Sequence, residues 1–184
     1  DQADDSARFE KALMAALESG EVSDAVIAKN QAERDAMWGL RDDVGQVARL
    51  FPIFTFDVSL KLADMESYIA DVQSGLKAAW PDSSLMVFGH LGDGNLHVIP
   101  GTLPDHTPAT RKAVEKIVYS ELRKRGGSVS AEHGIGLEKR DYLGWTRSPQ
   151  EVALMRLLKN ALDPKNILNP GKVLEPVAPH VKAA

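Results

Sequence analysis

Two histidines, His90 and His97, flank an Asp-Gly pair in the stretch VFGHLGDGNLHVIPG, in a chain that has only five histidines in 184 residues. Apolar runs on either side of Asp93-Gly94 predict a β-hairpin closed by a two-residue type I′ turn. That register sets His90 opposite His97, and opposed residues send their side chains to one face with Cβ atoms about 4.5–5.5 Å apart. Two imidazoles so placed can converge on one cation, because each ring nitrogen must come within about 2.0–2.1 Å of a zinc ion. Gly89, Gly92 and Gly94 strip side chains from the site and let backbone approach a ligand. The plainer alternative is a tight hairpin whose histidines only hydrogen-bond across the sheet.

A second glycine-flanked segment, SVSAEHGIGLEKR, supplies Glu132 and His133. An acid and an imidazole there complete a two-His, one-carboxylate set with an open coordination position, suited to Zn²⁺, Mn²⁺ or Fe²⁺, and leave a spare base. In a fully extended strand, Glu132 and His133 point to opposite faces. Both can serve one site only if the chain turns at His133-Gly134; a strand end with a surface charge and a capping glycine is the other reading. Arg41, in MWGLRDD, offers a fork for a carboxylate, or is solvated or paired with Asp42 or Asp43. Asn95 suits turn geometry. His106 and His180 receive no role.

The elements that must position these residues follow from periodicity. SARFEKALMAALESG reads as an amphipathic helix ending at Gly20, and the stretch from Ser23 to Leu50 as one long helix or two short ones with Ala25, Trp38 and Val44 inward. FPIFTFDVSLKL predicts a strand over 53–60. Asp64 is a candidate cap for a helix carrying Met65, Ile69, Val72 and Leu76 up to Pro81. SLMVFGH and NLHVIPG are the hairpin strands. The segment from Thr107 to Gly127 carries Val114, Ile117, Val118 and Leu122 on one helical face and ends in two glycines, and SVSAEH is a short strand. The order β-α-β-β-α-β predicts an α+β fold of the ferredoxin-like, split βαβ kind: an antiparallel sheet with helices on one face, its fourth strand beside its first. Flanking helices precede it and follow it, the last begun at Ser148 and halted at Asp163-Pro164. The expected divisions are a helical segment over 1–50, the ferredoxin-like domain over 51–145, and a C-terminal helix and tail over 146–184.

Composition limits the function classes. A formal charge of −4, with no clustered excess of Lys and Arg, argues against nucleic acid as a partner. With no cysteine, disulfides, thiolate metal sites and Cys nucleophiles are excluded, and a cytoplasmic home is the default. No apolar run approaches the ~20 residues of a membrane span. The acidic start without Met leads to the expectation that the chain is a piece of a longer polypeptide.

With these residues in hand, GHLGDGNLH, AEHGIG and DPKNILNPGK, in this order and spacing, resemble the C-terminal half of the FAD-linked 2-hydroxy acid oxidoreductases. That family holds D-lactate dehydrogenases, the glycolate oxidase flavin subunit and D-2-hydroxyglutarate dehydrogenase. The resemblance implies an N-terminal FAD-binding domain in the same polypeptide, roofed by the ferredoxin-like domain, with the C-terminal tail docking on it. It implies His90, His97 and Glu132 as ligands of a divalent metal, zinc foremost, and His133 as the base that takes the substrate hydroxyl proton. Arg41 would grip the carboxylate of a small 2-hydroxy acid, and Asn169 would lie where the tail returns to the flavin. A homodimer is one assembly open to it. Thr55 and Ile99 depart from the dicarboxylate-oxidising branch, which has a lysine and a polar residue there, and lean toward a smaller or more apolar acid. The fragment alone is expected to be inactive. A stand-alone two-His, one-Glu metal hydrolase and a structural docking module are the alternatives.

Overall fold

The protein is described here by a computed structural model covering residues 4–175; His180 and the end of the C-terminal tail lie outside the described residues. Its contacts divide it between Gln46 and Val47 into two units.

The first unit contains α1 (Asp5–Glu18) and α2 (Gln31–Asp42). Asn30 caps α2 by accepting the Glu33 N–H at 2.9 Å, while Glu33 reaches back to Lys29 N at 2.8 Å. The long stretch is thus broken, and a 3₁₀ segment, Val44–Leu50, follows α2 and leads into the second unit. Trp38 and Val44, expected to face inward, are instead 54% and 51% exposed. Periodicity identifies the apolar side of a helix but not what covers it, and α2 has no buried residue.

The second unit holds an antiparallel sheet of β1 (Phe56–Ser59), β2 (Ser84–His90) and β3 (Asn95–Gly101) in the order β1-β3-β2. Strand alternation puts Phe56, Val58, Leu96 and Val98 on the face covered by α3 (Met65–Ala79) and α4 (Pro108–Arg125). There they bury with Tyr68, Val72 and Leu76 of α3 and Val114, Val118 and Leu122 of α4. Each such aliphatic side chain contributes about 1.5–3 kcal/mol relative to exposure. The helix ends follow local chemistry. Thr107 caps α4 by accepting Thr110 N, Pro108 takes the first turn, and Gly126 closes the helix with φ +65°. Asp64, by contrast, makes no side-chain cap: a 3₁₀ turn over Leu62–Asp64 feeds directly into α3, so Asp64 is already helical (φ −98°, ψ −8°) and lacks the extended backbone of a capping residue.

Two further expectations need correction. The predicted strand over 53–60 is regular only at Phe56–Ser59. The predicted fourth strand, SVSAEH, is reduced to one antiparallel bridge, Ser59 with Ser128, at the free edge of β1. It lies on the expected side of the sheet but cannot continue. Ser130 turns its hydroxyl onto the Gly134 carbonyl at 2.9 Å, and Gly134 takes φ +72°, so the chain bends away from the ladder. After it come α5 (Leu143–Thr146) and α6 (Pro149–Leu162), the latter opened by a Ser148–Glu151 capping box.

Candidate metal centre

The hairpin forms between the predicted strands, but in another register. His90 stands opposite Asn95, and Phe88 stands opposite His97. The connection is a 3₁₀ turn, Leu91–Asp93, followed by Gly94 at φ +74°, and not a two-residue type I′ turn. Gly94 already belongs to the β1 side of the sheet: its carbonyl accepts the Leu60 N–H at 3.1 Å, and a Cβ there would lie 2.5 Å from the Leu60 carbonyl oxygen. The turn therefore falls earlier in sequence, and Asp93 Oδ1 completes it by accepting Asn95 N at 3.1 Å.

A shift of two residues preserves the face of every side chain, whereas a shift of one reverses it. His90 and His97 accordingly remain on one face as diagonal neighbours, with ring centroids 5.6 Å apart and planes at 80°. Phe88 packs beside them, 5.2 Å from the His97 ring. The face is the one turned away from α3 and α4.

Glu132 arrives on that face from the bent segment after α4. Its Oε1 lies 3.7 Å from His90 Nε2 and 3.7 Å from His97 Nε2. One donor atom from each of the three residues lies within 4.8 Å of the others. Ligands about 2.0–2.1 Å from a tetrahedral ion stand ~3.3 Å apart, so small side-chain movements would bring these atoms onto one cation. The side chains of His90 and Glu132 are 44% and 42% exposed, and that of His97 23%, which leaves one side open to an outside ligand. The donor chemistry fits a divalent ion.

Asn95, which the sequence explains by turn geometry, belongs to this centre too. It is only 2% exposed, and its side-chain amide donates to Glu132 Oε1. Its Oδ1 is buried with no protein hydrogen-bond partner. Asp57, Ser130 and Lys139 were missed altogether. Asp57 is a buried carboxylate on β1 whose Oδ2 receives Lys139 Nζ at 3.0 Å. Burial pushes this carboxyl up, but the Lys139 hydrogen bond and charge and the N–H groups of His133 and Glu132 outweigh it and hold the group below the ordinary aspartate range. An acid inside the apolar alternation FTFDVSL was the available signal: such a group must find a partner.

His133 follows Glu132 and contributes a donor atom to a second close group with Asp57 and Glu132. Arg41 sits on α2 in the first unit, where it pairs with Asp42 at 2.8 Å and lies 5.9 Å over the Trp38 ring. Asn169 joins a different group of residues. It has φ +47° and lines a cavity of about 750 Å³ together with Met155, Lys159 and Leu168. The tail around it is pinned to the segment after His133, with Val173 N donating to the Gly136 carbonyl at 2.8 Å.

Comparison with known proteins adds an independent finding. Residues 1–173 match the family described as FAD linked oxidases, C-terminal domain. A D-2-hydroxyglutarate dehydrogenase of Xanthomonas citri pv. viticola is 42% identical, over 90% of this chain and 37% of its own length. The mitochondrial D-2-hydroxyglutarate dehydrogenase of Bos taurus is 38% identical, over 86% of this chain and 29% of its own. A D-2-hydroxyglutarate–pyruvate transhydrogenase of Saccharomyces cerevisiae is 35% identical, over 83% and 32% respectively. The chain thus spans about a third of the length of these curated relatives. Among the described residues, no helix is long and apolar enough to cross a membrane.

Proposed function

The chain belongs to the FAD-linked oxidase C-terminal domain family, and from that membership we propose that it is the substrate- and metal-binding portion of a flavin-dependent dehydrogenase that oxidises a D-2-hydroxy acid to a 2-oxo acid. The observation that carries the reading is the meeting of His90, His97 and Glu132, from two strands and a loop, around one point on an open face.

In this reading His90, His97 and Glu132 hold a divalent ion, zinc foremost, and an N-terminal domain of the same polypeptide binds FAD. A divalent ion held by these three side chains would supply Lewis acidity to acidify a bound 2-hydroxyl, and a flavin held by the N-terminal domain would supply the hydride acceptor. His133, next in sequence to a ligand, takes the hydroxyl proton. Arg41 pairs with the substrate carboxylate, exchanging Asp42 for it. Asn95 holds the Glu132 carboxylate toward the imidazoles.

The divisions at 1–50, 51–145 and from 146 onward are part of the same proposal. Leu154, Leu157, Leu158 and Leu162 of α6, with Ile167 and Leu168 of the tail, are exposed and apolar, and we assign them, with Asn169, to the surface that docks on the flavin-binding domain. The relatives' names put D-2-hydroxyglutarate first among substrates to try. Thr55 and Ile99, neither of which carries a positive charge to pair with a distal carboxylate, favour a smaller or more apolar acid. A cytoplasmic location belongs to the proposal too, beside the mitochondrial one in the bovine relative's name.

Metal analysis of the purified chain, wild type beside His90→Ala and Glu132→Ala, tests the centre. One equivalent of zinc in the wild type and little in either variant is the expected result. Equal metal content in all three would overturn the ligand assignment.

A further inference from the structure

Three consecutive backbone N–H groups of the bent segment after α4 are aimed at a single residue of β1. Ala131 N donates to the Asp57 carbonyl oxygen at 3.3 Å, Glu132 N to Asp57 Oδ1 at 2.9 Å, and His133 N to Asp57 Oδ2 at 3.3 Å. The Ser130 hydroxyl lies 3.4 Å from the same Oδ2. Lys139 reaches over the group, with Nζ 3.0 Å from Asp57 Oδ2, 3.0 Å from Ser130 Oγ and 3.4 Å from the Asp57 carbonyl oxygen. Asp57 itself stands beside His97 in the β1–β3 register.

An extended strand in this place would send Glu132 and His133 to opposite faces of the sheet. Wrapped around a carboxylate, the same two residues come back to one side: a donor atom from each lies within 4.8 Å of Asp57 and of the other. This second set of donors is not a second metal site, because the Lys139 ammonium already stands at the cation position beside Asp57. Its arrangement is that of a clamp: an acceptor-only group with two oxygens meets two adjacent donors, and a partly buried lysine balances its charge.

We infer that Asp57 is the positioning residue of the metal centre, its carboxylate fixing the Ala131–His133 turn so that Glu132 and His133 address one site, with Lys139 neutralising the clamp. The inference rests on the reading of Glu132 as a ligand and His133 as a base. It assigns Asp57 no contact with metal or substrate. Outer partners of this kind commonly change metal affinity about 10–100-fold when removed.

The test uses the whole chain with two independent readouts. In the wild type, a through-hydrogen-bond NMR coupling from the Glu132 amide nitrogen to the Asp57 carboxyl carbon should be detectable, and its absence overturns the inference whatever the metal does. In Asp57→Asn, cobalt(II) affinity should fall about 10–100-fold with an altered visible spectrum, and the Glu132 and His133 amides should exchange at least about tenfold faster while the β2–β3 amides keep their protection. A variant that melts lower yet binds cobalt with wild-type affinity and spectrum would reduce Asp57 to an ordinary structural residue and overturn the inference. Should the wild type bind no cobalt while the coupling is present, the metal reading falls and the hold of Asp57 on the turn stands.

Discussion

Asn95, at the start of β3, donates its side-chain amide to Glu132 Oε1, joining residues 37 apart in sequence. The residue is buried and its side-chain Oδ1 has no protein partner, so truncating it removes, together with the bond to Glu132, an acceptor of a kind that costs about 1–3 kcal/mol when left unsatisfied. Asn95→Ala should therefore change thermal stability little while weakening cobalt or zinc binding about tenfold or more. Asn95→Asp, which sets one carboxylate against another, should destabilise the metal-free chain. Calorimetric melting beside a metal titration checks both.

Gly89 lies in β2, one residue before His90, and an added Cβ would sit 2.1 Å from the Asn95 carbonyl oxygen and 3.0 Å from Leu96 Cα. Backbone cannot yield as a flexible side chain does. Gly89→Ala should cost about 1–3 kcal/mol by overpacking and part the strands where they carry the two histidines. Urea denaturation gives the first effect, and loss of metal content gives the second.

Ser148 opens α6 by accepting Glu151 N at 3.2 Å, and Glu151 answers by accepting Ser148 N at 2.7 Å. Ser148→Ala should lower stability by about 1 kcal/mol without touching metal affinity. A shift in metal affinity measured for this variant would contradict the separation of α6 from the centre.

Asp163 ends α6 and anchors the tail, accepting Ile167 N at 3.0 Å and Leu168 N at 2.9 Å and pairing with Lys159. The Lys159 hydrogen bond, against burial and aided by the two backbone N–H groups, holds its carboxyl below the usual aspartate value of 3.8. A group whose pKa is depressed by folding stabilises fully above its unfolded pKa and loses that contribution as pH falls through the lower, folded value. The Ile167 and Leu168 amides should keep their hydrogen-exchange protection at neutral pH and lose it as pH drops below about 3.8; in Asp163→Asn much of that protection should be absent at pH 7.

Much of the chemistry was legible from residue type and local spacing. His90, His97 and Glu132 could be picked out before any coordinates because imidazole and carboxylate beside glycines are uncommon and because strand alternation has a period of two. That period also explains why an incorrect turn did no harm: the register moved by two, and both histidines kept their face. The helices α3, α4 and α6 were readable for the same kind of reason, since their apolar positions recur at helical spacing and their ends carry Thr107, Gly126 and Ser148. Trp38 and Val44 show the opposite case, where a periodic stripe did not mean burial.

The sequence by itself determined which residues could bind a metal and on which face of a hairpin two of them stand, because those properties are set within a few bonds of each side chain. The tertiary structure alone decided that Glu132 meets the histidines, that Asn95 and Asp57 hold it, and that the expected fourth strand gives way to a turn. These depend on hydrogen-bond donors and acceptors more than thirty residues apart finding one another, and a hydrogen bond between distant segments leaves no periodicity in the chain to read.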